Sequence, residues 1–141
     1  MPSDPSCIFC KIVAGQIPSA KVLETDAVLA FLDIAPIAPG HTLAVPKEHF
    51  ATLADTSAGA AAALAAELPG LVRAVLAATG APAINVVQNN GREAGQVVGH
   101  VHFHLIPRSA GDGIRIPWPQ GRYEGDAMEK MRSRIAAALG R

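Results

Sequence analysis

The chain has 141 residues, half of them apolar, which suits one domain with a substantial hydrophobic core. Twelve basic residues balance twelve acidic ones, so no global field gathers DNA, RNA or an anionic membrane, and any nucleotide must be bound by a local site. The first residues lack the regions of a signal peptide and no apolar run reaches the length of a membrane span, so we expect a cytoplasmic protein without a membrane segment.

Two cysteines lie in the first predicted element, a short helix over residues 7–13 that ends at Gly15. Cys7 and Cys10 share one side of it, because residues three apart are helix neighbours. A reducing compartment disfavours a lasting disulfide, which leaves metal ligation, redox chemistry or two unpaired buried thiols. The spacing lets two thiolates bind one zinc ion, and two nitrogen ligands would complete a tetrahedral site.

Three strands are predicted in the first third of the chain. Residues 21–24 and 28–33 read as two strands joined by a tight turn, and residues 41–46 as a third. The loop between the second and third contains Pro36, Pro39 and Gly40, which fix the backbone and supply a turn residue.

An alanine-rich run over residues 58–78 predicts the one long helix. Ser57 and its neighbours offer N-cap groups, Pro69 is expected to kink or divide the helix, and Gly80 to end it. Leucines and valines at helical spacing form the expected buried stripe, namely Leu64, Leu68, Leu71, Val72, Val75 and Leu76.

The last third contains two more predicted strands and a helix. Residues 83–88 and 97–107 read as strands, separated by a polar connection, and residues 128–139 as an amphipathic helix. Residues 108–125 should be irregular, because glycines and prolines such as Pro117 interrupt them. Hairpins with one long helix and no βαβ alternation predict an α+β fold on an antiparallel sheet.

Three of the five histidines fall within residues 100–104, alternating with apolar residues. On a strand the rings of His100, His102 and His104 share one face, ~6.6 Å apart. Such a cluster suits zinc hydrolysis, general acid–base catalysis or covalent catalysis by imidazole. The His-Glu-x-x-His motif of zinc proteases is absent. Attack on phosphorus needs one unprotonated ring nitrogen with the other held by an acceptor, which strand carbonyls can provide.

Residues 95–106, Gly-Gln-Val-Val-Gly-His-Val-His-Phe-His-Leu-Ile, resemble the signature of the histidine triad superfamily. Residues 7–12, 31–36 and 39–49 are also similar to histidine triad nucleotide-binding proteins of the bacterial kind. The resemblance covers residues 7–108 and implies one domain over residues 1–141, with 109–141 as a C-terminal extension. It implies a five-stranded antiparallel sheet, one long helix, short terminal helices and a homodimer whose sheets join.

The resemblance implies catalytic roles for three histidines. His102 matches the nucleophile that attacks the α-phosphorus of a nucleotide conjugate and forms a nucleotidyl-imidazole. His104 matches the residue that contacts phosphate and helps the leaving group depart, and His41 matches a further phosphate-side histidine.

It also implies a nucleotide site. Val97 stands where many relatives have Ser or Thr, so backbone N–H groups would have to serve the phosphate there. The other matching residues are Phe31 and Ile34 as walls of the base pocket, Asp33 for the ribose hydroxyls, and Asn89 and Gln96 near the phosphate and leaving group.

His49 and His100 match the histidine ligands of relatives that have the Cys-x-x-Cys pair. The resemblance therefore implies one structural zinc ion per chain, bound by Cys7, Cys10, His49 and His100. The implied activity is hydrolysis or transfer at the α-phosphorus of purine nucleoside phosphoramidates or similar conjugates. Two alternatives stay open: a dinucleoside polyphosphate hydrolase, suggested by residues 105–112, and a regulatory module that binds a nucleotide without turnover.

Overall fold

A five-stranded antiparallel sheet forms the centre of the fold, which confirms the predicted α+β class. The computed structural model describes residues 2–115 and 118–140. The strands lie in the order β1-β2-β3-β5-β4, so β1 and β4 are the two edges. In chain order they are β1 (Lys21–Glu24), β2 (Val28–Leu32), β3 (Thr42–Pro46), β4 (Ala83–Gln88) and β5 (Phe103–Arg108).

Helices cover both faces of the sheet. The helices are α1 (Ile8–Val13), α2 (Ala58–Thr79) and α3 (Ala127–Leu139). Because side chains alternate along a strand, Leu29 and Phe31 of β2 pack with α1, whereas Val28 and Ala30 pack with α2. Two 3₁₀ turns that the sequence analysis does not predict span Leu53–Asp55 and Arg92–Ala94.

The histidine-rich segment is not the continuous strand predicted over residues 97–107. β5 begins at Phe103, so His104 lies in the strand while His100 and His102 precede it. The ladder ends at this point because Phe103 pairs with Gln88, and Gln88 is the last residue of β4.

A contact with another loop replaces the missing strand pairing. The backbone N–H of Val101 donates to the carbonyl of Phe50 at 2.7 Å. The rings of His100 and His102 both contact Phe9 of α1, and the rings of His102 and His104 have centroids 4.8 Å apart. The predicted common face of the histidines is thus produced by an extended segment rather than by a strand.

Pro69 does not divide α2, which is one continuous helix of 22 residues. Pro69 and Ala65 are both exposed, so the carbonyl of Ala65 that lacks its usual helical donor faces solvent. The helix begins where Ser57 Oγ accepts the backbone N–H of Ala60, and it ends at Gly80 in the left-handed conformation.

Among the described residues, α2 is the one helix long and apolar enough to cross a membrane by length and composition, which the sequence analysis did not foresee. Leu64, Leu71 and Val75 are buried, as in a core helix. Only 17% of its most apolar 18-residue stretch is buried within the chain, because the outer side consists largely of exposed alanine and glycine.

Residues 109–115 and 118–126 contain no helix or strand, in agreement with the predicted irregular segment; Pro117 lies outside the described residues. Arg108 anchors the first part by donating to Asn85 Oδ1 at 2.6 Å, to Asp112 Oδ2 at 2.8 Å and to the Ile114 carbonyl at 2.8 Å. The guanidinium holds the pKa of the Asp112 carboxyl well below its usual range. α3 then follows with no buried residue.

Candidate active site

A cavity of about 420 Å³ opens on the α1 face of the sheet. This is a volume typical of small-molecule sites. The Phe9 ring lies between the other rings of the cavity, with its centroid 5.5 Å from Phe31 and 5.1 Å from His102. The cavity therefore has an apolar end and a histidine end. Ile12, Phe31 and Leu43 share a buried cluster with Phe9, and Ile17 and Val98 pack against that cluster. Gly95, Val97, His102 and His104 also line the cavity.

The backbone sets the ring state of His102. Its Nδ1 lies 2.6 Å from the carbonyl oxygen of His100. Because a carbonyl only accepts, Nδ1 carries the proton and the lone pair is on Nε2. Burial lowers the pKa of His102, so the ring is neutral at pH 7. A neutral imidazole with a free nitrogen is what nucleophilic attack requires.

His41 and His104 form a second pair with assigned proton positions. The backbone N–H of Ile37 donates to His41 Nδ1 at 3.1 Å, so neutral His41 carries its proton on Nε2. That Nε2 lies 2.9 Å from His104 Nδ1 and donates to it. Neutral His104 therefore carries its own proton on Nε2 and can donate it to a ligand.

Burial keeps this pair uncharged. It lowers the pKa of His104 to about 4, with further lowering by His102 and His41. Burial also lowers the pKa of His41, although Asp33 acts in the opposite direction. Asp33 Oδ2 lies 3.7 Å from His41 Nε2, a contact between a carboxylate and a neutral ring.

The four predicted metal ligands converge at one point behind the cavity. The Nδ1 atoms of His49 and His100 are 3.2 Å apart, Cys10 Sγ lies 3.3 Å from His49 Nδ1, and Cys7 Sγ lies 3.5 Å from His100 Nδ1. Tetrahedral zinc with ordinary bond lengths separates two nitrogens by about 3.3 Å and sulfur from nitrogen by about 3.6 Å. The cluster therefore suits a metal ion.

The protonation of these ligands also suits a metal. His100 Nε2 donates to the Pro46 carbonyl at 2.8 Å, which leaves the Nδ1 lone pair directed at the cluster. Burial raises the pKa of the Cys7 thiol, so a thiolate there needs a compensating cation.

A second group of potential ligands does not fit a metal equally well. Donor atoms of Asp33, His41 and His104 lie within 4.8 Å of one another. However, His41 Nδ1 already accepts the Ile37 N–H, so its Nε2 is protonated and has no lone pair for a metal. We therefore interpret this group as a proton-bearing site.

Four of the six residues predicted to bind the nucleotide line the cavity. Phe31 is buried in the lining, and Asp33 lines the cavity with its Oδ2 3.7 Å from His41 Nε2. Ile34 and Val97 are 96% and 93% exposed and stand at the rim. In the described ranges no hydrogen bond uses the backbone N–H of Val97 or Val98, so both can donate to an anion.

The other two predicted residues lie behind the lining. The Gln96 amide accepts the N–H of Gly91 at 2.8 Å and donates to the carbonyls of Ala51 and Val98. Gln96 thus holds the loop that carries Val97. Asn89 is half-buried beside Gly95, with 3.7 Å between its Nδ2 and the Cβ position of that glycine, and does not line the cavity.

Most residues of the apolar end were not predicted from the sequence. Phe9 and Ile12 lie one turn apart on α1 and form one wall, and Ile17, Pro18 and Ser19 form another. The three-residue spacing of Phe9 and Ile12 was a usable signal. Nothing local marks residues 17–19, which reach the cavity because the chain turns back after α1.

A wider depression of about 790 Å³ lies near the end of α2, lined by residues including Ile37, Thr79 and Pro107. None of the described residues that line it is a histidine, and its charged residues Arg108 and Asp112 pair with each other at 2.8 Å. It therefore offers no comparable chemistry.

Comparison with known proteins agrees with this geometry. Residues 14–111 match the HIT domain. The chain is 44% identical to adenosine 5'-monophosphoramidase hnt1 of Schizosaccharomyces pombe over 135 residues, covering 95% of this chain and 98% of that protein. It is 42% identical to adenylylsulfatase HINT3 of Arabidopsis thaliana over 106 residues, covering 75% of this chain and 54% of that protein.

Solved structures share the fold. A protein from Streptococcus mutans superposes with a TM-score of 0.93 at 42% identity, covering 97% of this chain and 87% of that one. A zinc-bound histidine triad family protein from Mycobacterium smegmatis superposes with a TM-score of 0.74 at 35% identity, covering 94% of this chain and 97% of that one. The chain belongs to the HIT domain family and is a histidine triad hydrolase.

Proposed function

We propose that this hydrolase cleaves purine nucleoside phosphoramidates, or similar nucleotide conjugates, at the α-phosphorus through a covalent nucleotidyl-His102. His102 Nε2 attacks phosphorus, the bond from phosphorus to the leaving nitrogen breaks, and the amine takes the Nε2 proton of His104. Water then attacks phosphorus and gives one proton back to His104 Nε2, the bond from phosphorus to His102 Nε2 breaks, and the mononucleotide is released. The observation that carries the proposal is the bond from His102 Nδ1 to the His100 carbonyl, which leaves the nucleophilic nitrogen free.

The cavity offers a place for each part of a nucleotide. The apolar end around Phe9 and Phe31 suits a base, and the Asp33 carboxylate beside it suits ribose hydroxyls. The free N–H groups of Val97 and Val98 and the donor His104 suit the phosphate. The name of the yeast relative, an adenosine 5'-monophosphoramidase, favours an adenylyl group and an amine.

The test compares three adenylyl substrates with different leaving groups: adenosine 5'-phosphoramidate, adenosine 5'-phosphosulfate and diadenosine tetraphosphate. We expect the phosphoramidate to have the highest kcat/KM, and denatured protein quenched during turnover to gain the mass of one AMP. His102→Asn should abolish both signals. Faster turnover of the tetraphosphate would favour the dinucleoside polyphosphate hydrolase, and binding without turnover of any substrate would favour the regulatory module.

We further propose that the metal at Cys7, Cys10, His49 and His100 is zinc, one ion per chain with a structural role. Two sulfurs and two nitrogens in tetrahedral spacing are a typical structural zinc set, and no position is left open for substrate. The zinc-bound relative supports this choice. Metal analysis of purified protein should give about one zinc per chain, and Cys7→Ala should remove it. Full occupancy by another metal would contradict the proposal.

We also propose a homodimer formed through β4 and the outer side of α2. β4 is an edge strand without a charged residue, whereas the other edge, β1, carries Lys21 and Glu24, ion-paired at 2.9 Å. Charged residues protect an edge from pairing, so the free edge is β4. The exposed alanine surface of α2 adjoins it, since α2 contacts β4.

Two exposed valines, one on each edge, give a matched test of this interface. Val86 on β4 is 43% exposed and Val22 on β1 is 46% exposed. Light scattering after gel filtration should give a dimer for the wild type and for Val22→Lys, and a monomer for Val86→Lys. A dimer that survives Val86→Lys and dissociates with Val22→Lys would place the interface on the other edge.

A further inference from the structure

Within residues 2–115 and 118–140, Ser19 Oγ is the one buried side-chain polar atom without a hydrogen-bond partner. A buried hydroxyl without a partner costs free energy, and in native proteins nearly all such groups are satisfied. An exception at a ligand cavity has a simple explanation, in which the missing partner belongs to the ligand.

Ser19 lies in the wall of the candidate active-site cavity. The backbone on both sides of it is tied down. The N–H of Ile17 donates to the carbonyl of Lys11 at 3.3 Å, and the carbonyl of Ala20 accepts the N–H of Leu32 at 3.0 Å. The backbone therefore holds Ser19 in place, and rotation about χ1 is the motion left to the hydroxyl.

The surroundings of Ser19 identify the part of the ligand that it meets. Its neighbours Ile17 and Pro18 are apolar and line the same cavity, and Ile17 packs against the buried cluster that contains Phe9 and Phe31. That end offers no other side-chain hydroxyl, amide or charge among the described lining residues. Asp33, which the proposed function assigns to the ribose hydroxyls, directs its Oδ2 towards His41 and accepts the N–H of Ala35 at 2.9 Å with its Oδ1, so it does not serve the apolar end.

A mostly apolar pocket with one polar group binds a flat heteroaromatic ring and fixes its orientation. We propose that the Ser19 hydroxyl hydrogen-bonds the edge of the nucleotide base and is a specificity-determining residue of this site. This inference rests on the proposed function for the presence of a nucleotide. A hydroxyl can donate to a ring nitrogen or accept from an exocyclic amine, and an adenine edge presents both.

The experiment separates the base from the rest of the ligand. We would titrate AMP and ribose 5-phosphate, which has no base, into the wild type, Ser19→Ala and the control Ser133→Ala, an exposed serine on α3. Ser19→Ala should weaken AMP binding about fivefold to tenfold, the loss expected for one neutral hydrogen bond. Its affinity for ribose 5-phosphate should equal that of the wild type, and Ser133→Ala should change neither.

The melting temperature of the ligand-free protein is a second readout, which distinguishes a ligand-binding role of Ser19 from a structural one. Removing an unsatisfied hydroxyl should leave it unchanged or raise it, even though AMP binding becomes weaker. Ser19→Cys keeps nearly the volume of the side chain with a poorer donor, so it should also weaken AMP binding. Full AMP affinity in Ser19→Cys would assign the effect to volume and overturn the inference.

Three other outcomes would each refute a different claim. Equal AMP binding by Ser19→Ala and the wild type would refute the role of Ser19 and leave the proposed function intact. A lower melting temperature with equal losses for both ligands would show that Ser19 is structural. A wild type that binds neither ligand and turns over no adenylyl conjugate would refute the proposed function itself.

Discussion

At the residue scale, hydrogen bonds with the backbone determine which ring nitrogen of His102 and of His41 carries the proton. The His100 carbonyl places the proton of His102 on Nδ1, and the Ile37 N–H places that of His41 on Nε2. His41 in turn makes Nδ1 of His104 an acceptor. An acceptor nitrogen on His102 and a donor nitrogen on His104 therefore face the same cavity without any charged imidazole.

The first prediction concerns the leaving group. An amine must gain a proton as it departs, whereas sulfate is a weak base that leaves without one. His104→Asn removes the Nε2 donor, so it should lower kcat for adenosine 5'-phosphoramidate by about 10²-fold or more and lower kcat for adenosine 5'-phosphosulfate much less. Steady-state kinetics with both substrates would measure the ratio. Equal losses would contradict a proton-donating role for His104.

The second prediction concerns stability at acidic pH. The pKa of His104 is 6.5 in the reference state and about 4 in the fold, because burial disfavours the charged ring. As pH falls from 6.5 towards 4, the unfolded chain binds the proton first, so stability decreases across this window. His104→Asn lacks this titration and should lose less melting temperature over the window than the wild type. Parallel curves for the two proteins would contradict the assignment.

At the scale of elements, one close approach sets how the loop before β3 meets the end of α2. Gly40 has φ +94, and a Cβ added there would lie 2.5 Å from Thr79 Cγ2. Gly15 has φ +77 and no atom within 4 Å of the same position. Both glycines adopt a left-handed backbone, but only Gly40 also contacts a neighbouring element.

The third prediction follows from this pair. Gly15→Ala should cost about 1 to 2 kcal/mol of unfolding free energy through backbone strain alone. Gly40→Ala should cost clearly more, and adding Thr79→Ser, which removes Cγ2 and keeps the hydroxyl, should recover the excess. Urea unfolding of the single and double variants would measure this coupling. A cost for Gly40→Ala no larger than that for Gly15→Ala would refute the steric argument.

The positions of the strands and helices show how much of the fold the sequence alone predicts. Period-two and helical patterns predict the five strands and three helices of the described residues, with boundaries within a few residues except at the start of β5, because the hydrophobic faces that specify them are local. The start of β5 at Phe103 was not predictable, since it depends on where β4 ends. The role of Gln96 depends on the carbonyl of Ala51, 45 residues away, which leaves no local trace.

At the scale of the whole molecule, the proposed zinc site joins three distant parts of the chain. Cys7 and Cys10 belong to the start of α1, His49 follows β3, and His100 precedes β5. α1 also supplies Phe9 to the cavity, and His100 holds the ring of His102. The metal is therefore expected to stabilise both the fold and the geometry of the active site.

The fourth prediction is that removal of the metal weakens both properties together. Because the ligands converge only in the folded chain, binding free energy of the metal contributes to stability. Chelation should lower the melting temperature by about 10 °C or more and raise the Kd for AMP, and added zinc should restore both. In Cys7→Ala, which lacks one ligand, the chelator should have little further effect on either quantity. A chelator that removes the zinc and leaves melting temperature and AMP affinity unchanged would show that the site stabilises neither the fold nor the cavity.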